Sequence, residues 1–496
     1  MLIYAVLCTP LLAGLIAAAF TWQRWIGWLT TIANGAVLCL GIVLAARTAN
    51  RHAIGALDGA LRADALSSFM VVVIGAIALL AACQGIRYIG VEIEREHSSR
   101  RHAALYTVLV QVFVTCMLGA VLAANLGAMW VAIEATTIAT TFLVGHRRNE
   151  RALEASWKYI IICSVGIALA FLGTVLIYFA ALHPVGRETG LLGAQLHGSG
   201  VLNWTSLMAL SHHLDPGVMR LAMALLVLGY GTKVGLAPMH SWLPDAHSQA
   251  PAPVSALMSG VLLTVAFYAL LRFKAIADGA LGIGYSRTLL VIVGLGSLLV
   301  AASLLITQKD YKRMLAYHSI EHMGLIALGA AAGSSLAIAA VLLHILGHGL
   351  AKAVLFLASG EILIVEGSSE IEKVPALLSR RPVLGGIFGF GLVALLGLPP
   401  FSLFVSELNM IRAEVAVGLG WVAGVSLVLM GVIFAVVMSH GRHLLFGESP
   451  SSAQGPTTPR LVTIPLISGL GACAAFGVIS WPLQPLLNAA AHVLVP

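Results

Sequence analysis

Lys233 lies at the end of an apolar run, and a lysine in that setting needs a chemical reason. The stretch Lys233 to Pro253 reads KVGLAPMHSWLPDAHSQAPAP. The run 218–236 ends on it, four prolines follow (Pro238, Pro244, Pro251, Pro253), and a second run, 254–273, begins at once. A lysine at membrane depth costs roughly 2.5–3.5 kcal/mol on insertion scales and marks a functional site by default. Broken helical backbone at that depth is tolerated where it is buried in protein or lines a polar cavity. Lysine and break together predict an ion path. At the end of a half-helix the dipole favours the ammonium and desolvation favours the neutral amine, a balance that suits a proton carrier. His240, inside the break, either extends the path or is a solvated loop histidine.

The other candidates repeat this logic. Glu134 sits mid-run in AMWVAIEATTIATTF with Thr137 one turn on. It is either a neutral, hydrogen-bonded acid or the charge partner of a buried lysine, and a Glu134–Lys233 ion pair is the expectation. Glu407, in PPFSLFVSELNM, follows a second break at 398–400, where the N-terminal end of a half-helix favours an anion. His318, Glu321 and His322 are spaced i, i+3, i+4, and His344, His348 and Lys352 are spaced i, i+4, i+8. Each set shares one helix face. Stacked titratable groups of this kind hold water and pass protons. Metal binding and purely structural hydrogen bonding between helices are the rival readings, and without HExxH or a thiolate partner no metal is assigned.

These residues need a membrane scaffold. The chain has 496 residues, 59% hydrophobic and 10% charged, which excludes a soluble globular protein and predicts an all-α polytopic membrane protein. Apolar runs of spanning length fall at 2–20, 25–46, 66–88, 104–123, 125–145, 156–182, 217–237, 253–273, 286–308, 312–333, 335–365, 382–416, 419–440 and 461–480. That makes about fourteen spans. MLIYAVLCTPLLAG has no basic flank or clear cleavage site and reads as the first span. With the N-terminus outside, inner loops hold about 17 basic residues against about 7 outside, so both termini are expected on the non-cytoplasmic side. Arg51, Arg62, Arg187, Arg272, Lys274 and Arg287 are among the outer ones. The net charge of +7 follows from these loops, and nothing in the chain points to nucleic acid. The outer loop 183–216 is expected to be a surface segment with short helix. Its His197, His212 and His213 make no convincing metal site. The segment 447–460 reads as a flexible linker.

The breaks at 237–253 and 398–400 lie about 160 residues apart, and paired broken segments point to inverted repeats. The expected division is 1–103 (spans 1–3), 104–273 and 286–440 (two inverted five-helix repeats), and 441–496 (linker and last span). The six cysteines stand singly in apolar runs, with no ligand spacing and no Gly-rich dinucleotide motif nearby. No redox cofactor, and no catalytic redox site, is expected in the chain.

KVGLAPMHSWLPDAHSQAPAPVSALMSG, DYKRMLAYHSIEHMG and HILGHGLAKAVLFLASGEI resemble the antiporter-like subunits of respiratory complex I and the related Mrp sodium/proton antiporters. The resemblance covers about residues 60–445. SIEHMG, with Glu rather than Lys after the second break, is most similar to component F of the hydrogenase-4 and formate hydrogenlyase group. The resemblance implies fourteen spans, two inverted five-helix repeats and a proton path along the midplane. It places Glu134, Lys233, the His344/His348/Lys352 set and Glu407 on the family's glutamate, lysine, histidine–lysine and acidic positions. It also implies partners: other membrane subunits and a soluble driving module, NiFe hydrogenase-like or quinone-reductase-like, in a bacterial-type plasma membrane. A membrane half of an inorganic-carbon uptake system, with a large zinc protein as partner, and a subunit of an Mrp-type antiporter are the alternatives. In one place the chain departs from the pattern. Complex I subunits carry a lysine or histidine in the eighth span, whereas ALMSGVLLTVAFYALL offers Ser259 and Thr264, expected to bridge through water. No long lateral helix is expected after the last span.

Overall fold

The computed structural model describes residues 1–50, 52–183, 200–447 and 458–495. Arg51, Arg187, His197 and most of the 447–460 linker lie outside the described residues. The apolar runs become helices because lipid offers the backbone no partner and a helix satisfies its own N–H and C=O groups. In chain order these are α1 (Leu2–Ala19), α2 (Arg24–Thr48), α3 (Ala65–Glu94), α4 (Arg100–Leu122), α5 (Leu126–Val144) and α6 (Glu150–Leu182). Then come α7 (Trp204–Leu210), α8 (Pro216–Val234), α9 (Trp242–Gln249), α10 (Ala252–Leu257), α11 (Leu263–Leu281), α12 (Ile283–Leu305) and α13 (Tyr311–Ala332). The rest are α14 (Ser335–Glu366), α15 (Leu377–Arg380), α16 (Pro382–Leu395), α17 (Ser402–Ala416), α18 (Gly420–Phe446), α19 (Arg460–Val478) and α20 (Gln484–Leu494).

Many starts are capped by side chains that take up an orphan N–H. Asp64 accepts from Ser67, Asn149 from Ala152, Asp215 from Val218 and Asp310 from Arg313. Among the described residues, twelve helical segments are long and apolar enough to cross a membrane, α10 and α11 counting as one. α13 and the broken pair α16/α17 are additional to these twelve. A small antiparallel hairpin, β1 (Ile54–Ala56) on β2 (Leu61–Ala63), adds a feature that the apolar runs did not signal. So does α20, which packs its buried Leu487, Ala490 and Leu494 towards α3 and α14.

Two elements form the centre. The α10–α11 segment and α14 are buried along their whole apolar windows, while the surrounding helices expose large apolar side chains such as Trp157, Phe390 and Val428 outward. α10 runs into α11 through a π-helical turn, Met258–Leu262. That turn meets α14 through two glycines: a Cβ on Gly260 would lie 3.1 Å from the Gly349 carbonyl oxygen, and one on Gly349 would lie 2.9 Å from that of Gly260. Small residues permit such close backbone approach in membranes, where packing rather than hydrophobicity joins helices. Gly349→Val is therefore expected to destabilise the fold by about 1–3 kcal/mol, the usual cost of overpacking. A lower melting temperature of the detergent-solubilised protein checks it.

Two ion pairs lock the core. Arg87 on α3 holds Glu361 on α14 through both carboxylate oxygens, at 2.8 and 3.1 Å. Arg272 on α11 holds Asp64 at 2.7 and 2.8 Å. Arg272 and Lys274 are thus not outer-loop charges, as their positions near a run's end implied. Both are buried on α11, Lys274 paired with Asp278 at 2.5 Å.

Candidate functional site

α8 delivers Lys233 in its last turn. Gly235, at φ +84°, ends the helix: its N–H bonds to Thr232 O, and the N–H of Leu236 bonds to Gly231 O at 2.8 Å, the paired closure of a Schellman motif. The chain then crosses a cis Ala237–Pro238 bond and enters α9. Trp242 Nε1 donates to Thr232 O at 2.8 Å, and the N–H of Ala237 donates to Ser297 Oγ at 2.9 Å, so the break is pinned on both sides.

The Lys233 ammonium is fully buried. It donates to Thr137 Oγ1 at 2.9 Å and to Tyr159 Oη at 2.6 Å. Thr137 in turn donates to Glu134 Oε2 at 3.0 Å, and Ser164 donates to Glu134 Oε1 at 3.3 Å. Tyr159 Oη and Thr140 Oγ1 are 2.6 Å apart. Lysine and glutamate are therefore joined, but through a hydroxyl. The expected direct ion pair is corrected to a Lys233–Thr137–Glu134 relay, because Thr137, one turn from Glu134, occupies the space between them. The hydroxyl accepts from one charge and donates to the other, an arrangement through which a proton can be handed on.

The second cluster gathers three elements. His318, Glu321 and His322 project from α13, His344, His348 and Lys352 from α14, and Ser406 and Glu407 from α17. All are buried. His318 Nδ1 lies 2.7 Å from Glu321 Oε2. The rings of His318 and His322 stack at 4.9 Å, and His322 Nδ1 meets His344 Nε2 at 2.9 Å. His344 Nδ1 meets Ser406 Oγ at 2.9 Å, and His348 lies 5.0 Å, ring to ring, from His322. Lys352 turns from this line and donates to Leu315 O at 2.5 Å. Gly397, at φ +62° beside the cis Pro399–Pro400 bond, leaves the room that the Glu407 carboxylate fills; a Cβ there would collide with it. Ligand atoms of His318, Glu321 and His322 lie within 4.8 Å of one another, as do those of His322, His344 and Glu407. Among the described residues these are the donor sets that could surround a cation.

Three candidates sit apart. His240 is half-buried, and no hydrogen bond links it to either cluster. Ser259 Oγ lies 2.8 Å from Ser319 Oγ and so joins the π turn to α13. Thr264 donates to its own Val261 carbonyl at 2.8 Å, as helical threonines commonly do. Sequence reading missed Tyr159, Thr140, Ser164 and Ser406. Hydroxyls in apolar helices are common, and only packing tells which of them meets a charge. It also missed His247, hidden among the prolines of the break. Beside α9 a charged recess of about 460 Å³ is lined by Lys158, Asp245, Ser248, Gln249 and Arg313 among others, with Asp245 bonded to Lys158 and Arg313.

With this geometry in hand, the family described as "NADH:quinone oxidoreductase/Mrp antiporter, TM" matches residues 123–434. This chain belongs to that family. It is 39% identical over 353 residues to a hydrogenase-4 component F homolog of Methylacidiphilum infernorum, covering 71% of this chain and 72% of that relative. It is 30% identical over 376 residues to NADH-quinone oxidoreductase subunit N of Desulforudis audaxviator, covering 75% and 70%. Its fold matches a subunit in the structure of the membrane-bound sulfane sulfur reductase, an archaeal respiratory membrane complex, with a TM-score of 0.86 at 22% identity, covering 99% of this chain and 97% of that one. It is an integral, multi-pass, antiporter-like membrane subunit of the complex I and hydrogenase-4 kind, as its motifs implied.

Proposed function

We propose that this antiporter-like subunit moves protons across a bacterial plasma membrane, driven by a redox partner of the membrane-bound hydrogenase or quinone-reductase type, and carries no redox cofactor itself. The observation that supports it most is the Lys233 ammonium, fully buried yet held by two hydroxyls, one of which leads to Glu134. A structural lysine at this depth would gain most from direct contact with a carboxylate. One held on hydroxyls can lose its proton without leaving a buried anion bare.

In this reading the chain has fourteen spans, the twelve long ones plus α13 and the broken pair α16/α17. Residues 104–273 and 286–440 are two inverted repeats of five spans each, flanked by 1–103 and 441–496. α8/α9 and α16/α17 are their broken members, and both termini face the non-cytoplasmic side. The path runs through Glu134, Thr137 and Lys233, then His318, Glu321, His322, His344, His348 and Lys352, towards Glu407, with His240 at the break. The driving subunit acts by moving Glu134 towards or away from Thr137 and so changing the stability of the lysine charge.

Glu134→Gln keeps the shape and the Thr137 contact but removes the charge. It is expected to slow proton flux about tenfold, a barrier raised by about 1.4 kcal/mol, and His348→Ala about 100-fold, the low end for loss of a positioned proton-transfer group. The measurement is flux per assembled complex in liposomes, with redox turnover followed separately. Wild-type flux in both variants would sink the reading.

A further inference from the structure

His247, on α9, lies between the rings of Trp242 and Phe356, and no role above uses it. Its ring is fully buried, and neither nitrogen has a hydrogen-bond partner among the described residues. Buried polar groups in native proteins are nearly always satisfied, so a ring with both nitrogens open calls for a reason. The backbone around it is firmly tied. Ser255 Oγ donates to the His247 carbonyl at 2.9 Å, and Lys312 Nζ donates to the carbonyls of Ser248 and Ala250 at 2.8 and 3.0 Å. The ring is held in position while its two nitrogens are left free.

Its neighbours face both halves. On one side the Trp242 ring lies 6.4 Å away, and Trp242 meets the edge of Tyr159, the acceptor of the Lys233 bond, at 4.9 Å. On the other side Phe356 stacks on His247 at 5.2 Å and 26°. Phe356 lies one turn beyond Lys352 on α14. Near its middle the eighth span supplies nothing equivalent: Ser259 is engaged with Ser319, Thr264 donates to its own backbone, and the basic residues Arg272 and Lys274 lie further along α11, paired with Asp64 and Asp278.

We propose that His247 carries protons between the Lys233 half and the His348/Lys352 half, in place of a basic residue near the middle of the eighth span, where the chain has Ser259 and Thr264; this rests on the proton-translocating function proposed above. One ring nitrogen takes up a proton and the other releases one. The ring returns to neutral with its tautomer exchanged, and rotation of the ring resets it. No electron moves and no heavy-atom bond changes. No direct hydrogen bond joins the ring to either half among the described residues, so the transfer on each side runs through water. The recess beside α9 opens next to Ser248 and Gln249, so the helix that carries His247 borders solvent on its other face.

The test uses the tagged full chain purified with the subunits that accompany it, in phosphatidylethanolamine–phosphatidylglycerol liposomes loaded with a pH dye. A potassium diffusion potential drives the flux. His247→Gln is expected to lower flux about 100-fold at equal assembly, the low end for loss of a positioned proton-transfer group. A titratable nitrogen put back, by His247→Lys or by Ser259→His in the His247→Gln background, is expected to restore a substantial part of it. Wild-type flux in His247→Gln, with Lys233→Ala inactive, overturns the bridge and leaves the proposed function standing. Loss in His247→Gln that neither replacement restores assigns the residue a structural role and also overturns the bridge. Wild-type flux in Lys233→Ala overturns the proposed function, and the bridge with it.

Discussion

Lys233→Ala is expected to lower proton flux at least ~100-fold while the complex still assembles, the loss typical when a proton-transferring group is removed outright. The alanine leaves Thr137 bonded to Glu134 and Tyr159 bonded to Thr140, so the surrounding helices keep their contacts and only the movable charge is gone. Lys233→Arg sharpens the test. A guanidinium has the charge and the donors to satisfy Thr137 and Tyr159, but it does not release its proton in a protein. If Lys233 only holds α8 against α5 and α6, arginine should preserve much of the flux. If it carries protons, arginine should be as inactive as alanine. Flux per complex, with the amount of complex measured on the same vesicles, decides between them.

The Thr137 relay also bears on Glu134→Gln. A direct ion pair would make glutamine and alanine at these positions nearly equivalent, since either removes one of two touching charges. With a hydroxyl between them, glutamine at 134 still accepts from Thr137, and Thr137 still accepts from Lys233. The carboxylate then influences the lysine at one remove, which is why the expected loss is tenfold rather than a hundredfold.

The scaffold was legible in the sequence because lipid imposes one rule on every span. A run of apolar residues must become a helix, and prolines with a lysine or glutamate beside them must mark a break. Lys233, Glu134, the two histidine sets and Glu407 could be named for the same reason: a charged or titratable group in an apolar run stands out. What could not be read is which polar group meets which. Thr137 and Lys233 are 96 positions apart, and His344 and Ser406 are 62 apart. Their meeting depends on how α5, α6 and α8, or α14 and α17, pack. His247 was missed for a different reason. It lies in a polar, proline-rich stretch that reads as a solvated connection, and only the fold of α9 back into the core buries it. Arg272 shows the opposite error: a basic residue near the end of a run reads as a loop charge until α3 brings Asp64 to it.

Arg272→Ala is expected to destabilise the protein by about 3–5 kcal/mol, the cost of stripping one partner from a buried ion pair. Arg272 holds both oxygens of Asp64, donates to Ser67 Oγ at 3.1 Å and to Tyr268 Oη at 3.2 Å, and lies with its guanidinium carbon 4.6 Å from the Trp204 ring centroid. Asp64 also caps α3 through the N–H of Ser67, so the carboxylate cannot leave without uncapping a central helix. Without the arginine it stays buried and loses its ion-pair partner, so it is either an uncompensated charge or must take up a proton at a cost. Asp64→Asn in the Arg272→Ala background removes that charge while asparagine still caps, and it should recover much of the loss. Replacing the whole pair costs less than breaking it because the penalty comes from the orphaned charge. Melting temperatures of the solubilised single and double variants measure both effects. A double variant no more stable than Arg272→Ala would place the loss in the packing of Trp204 and Tyr268 instead. Because the pair lies outside the polar path, proton flux per surviving complex should stay near wild type in either variant. That separates the residues that hold the scaffold from those that use it.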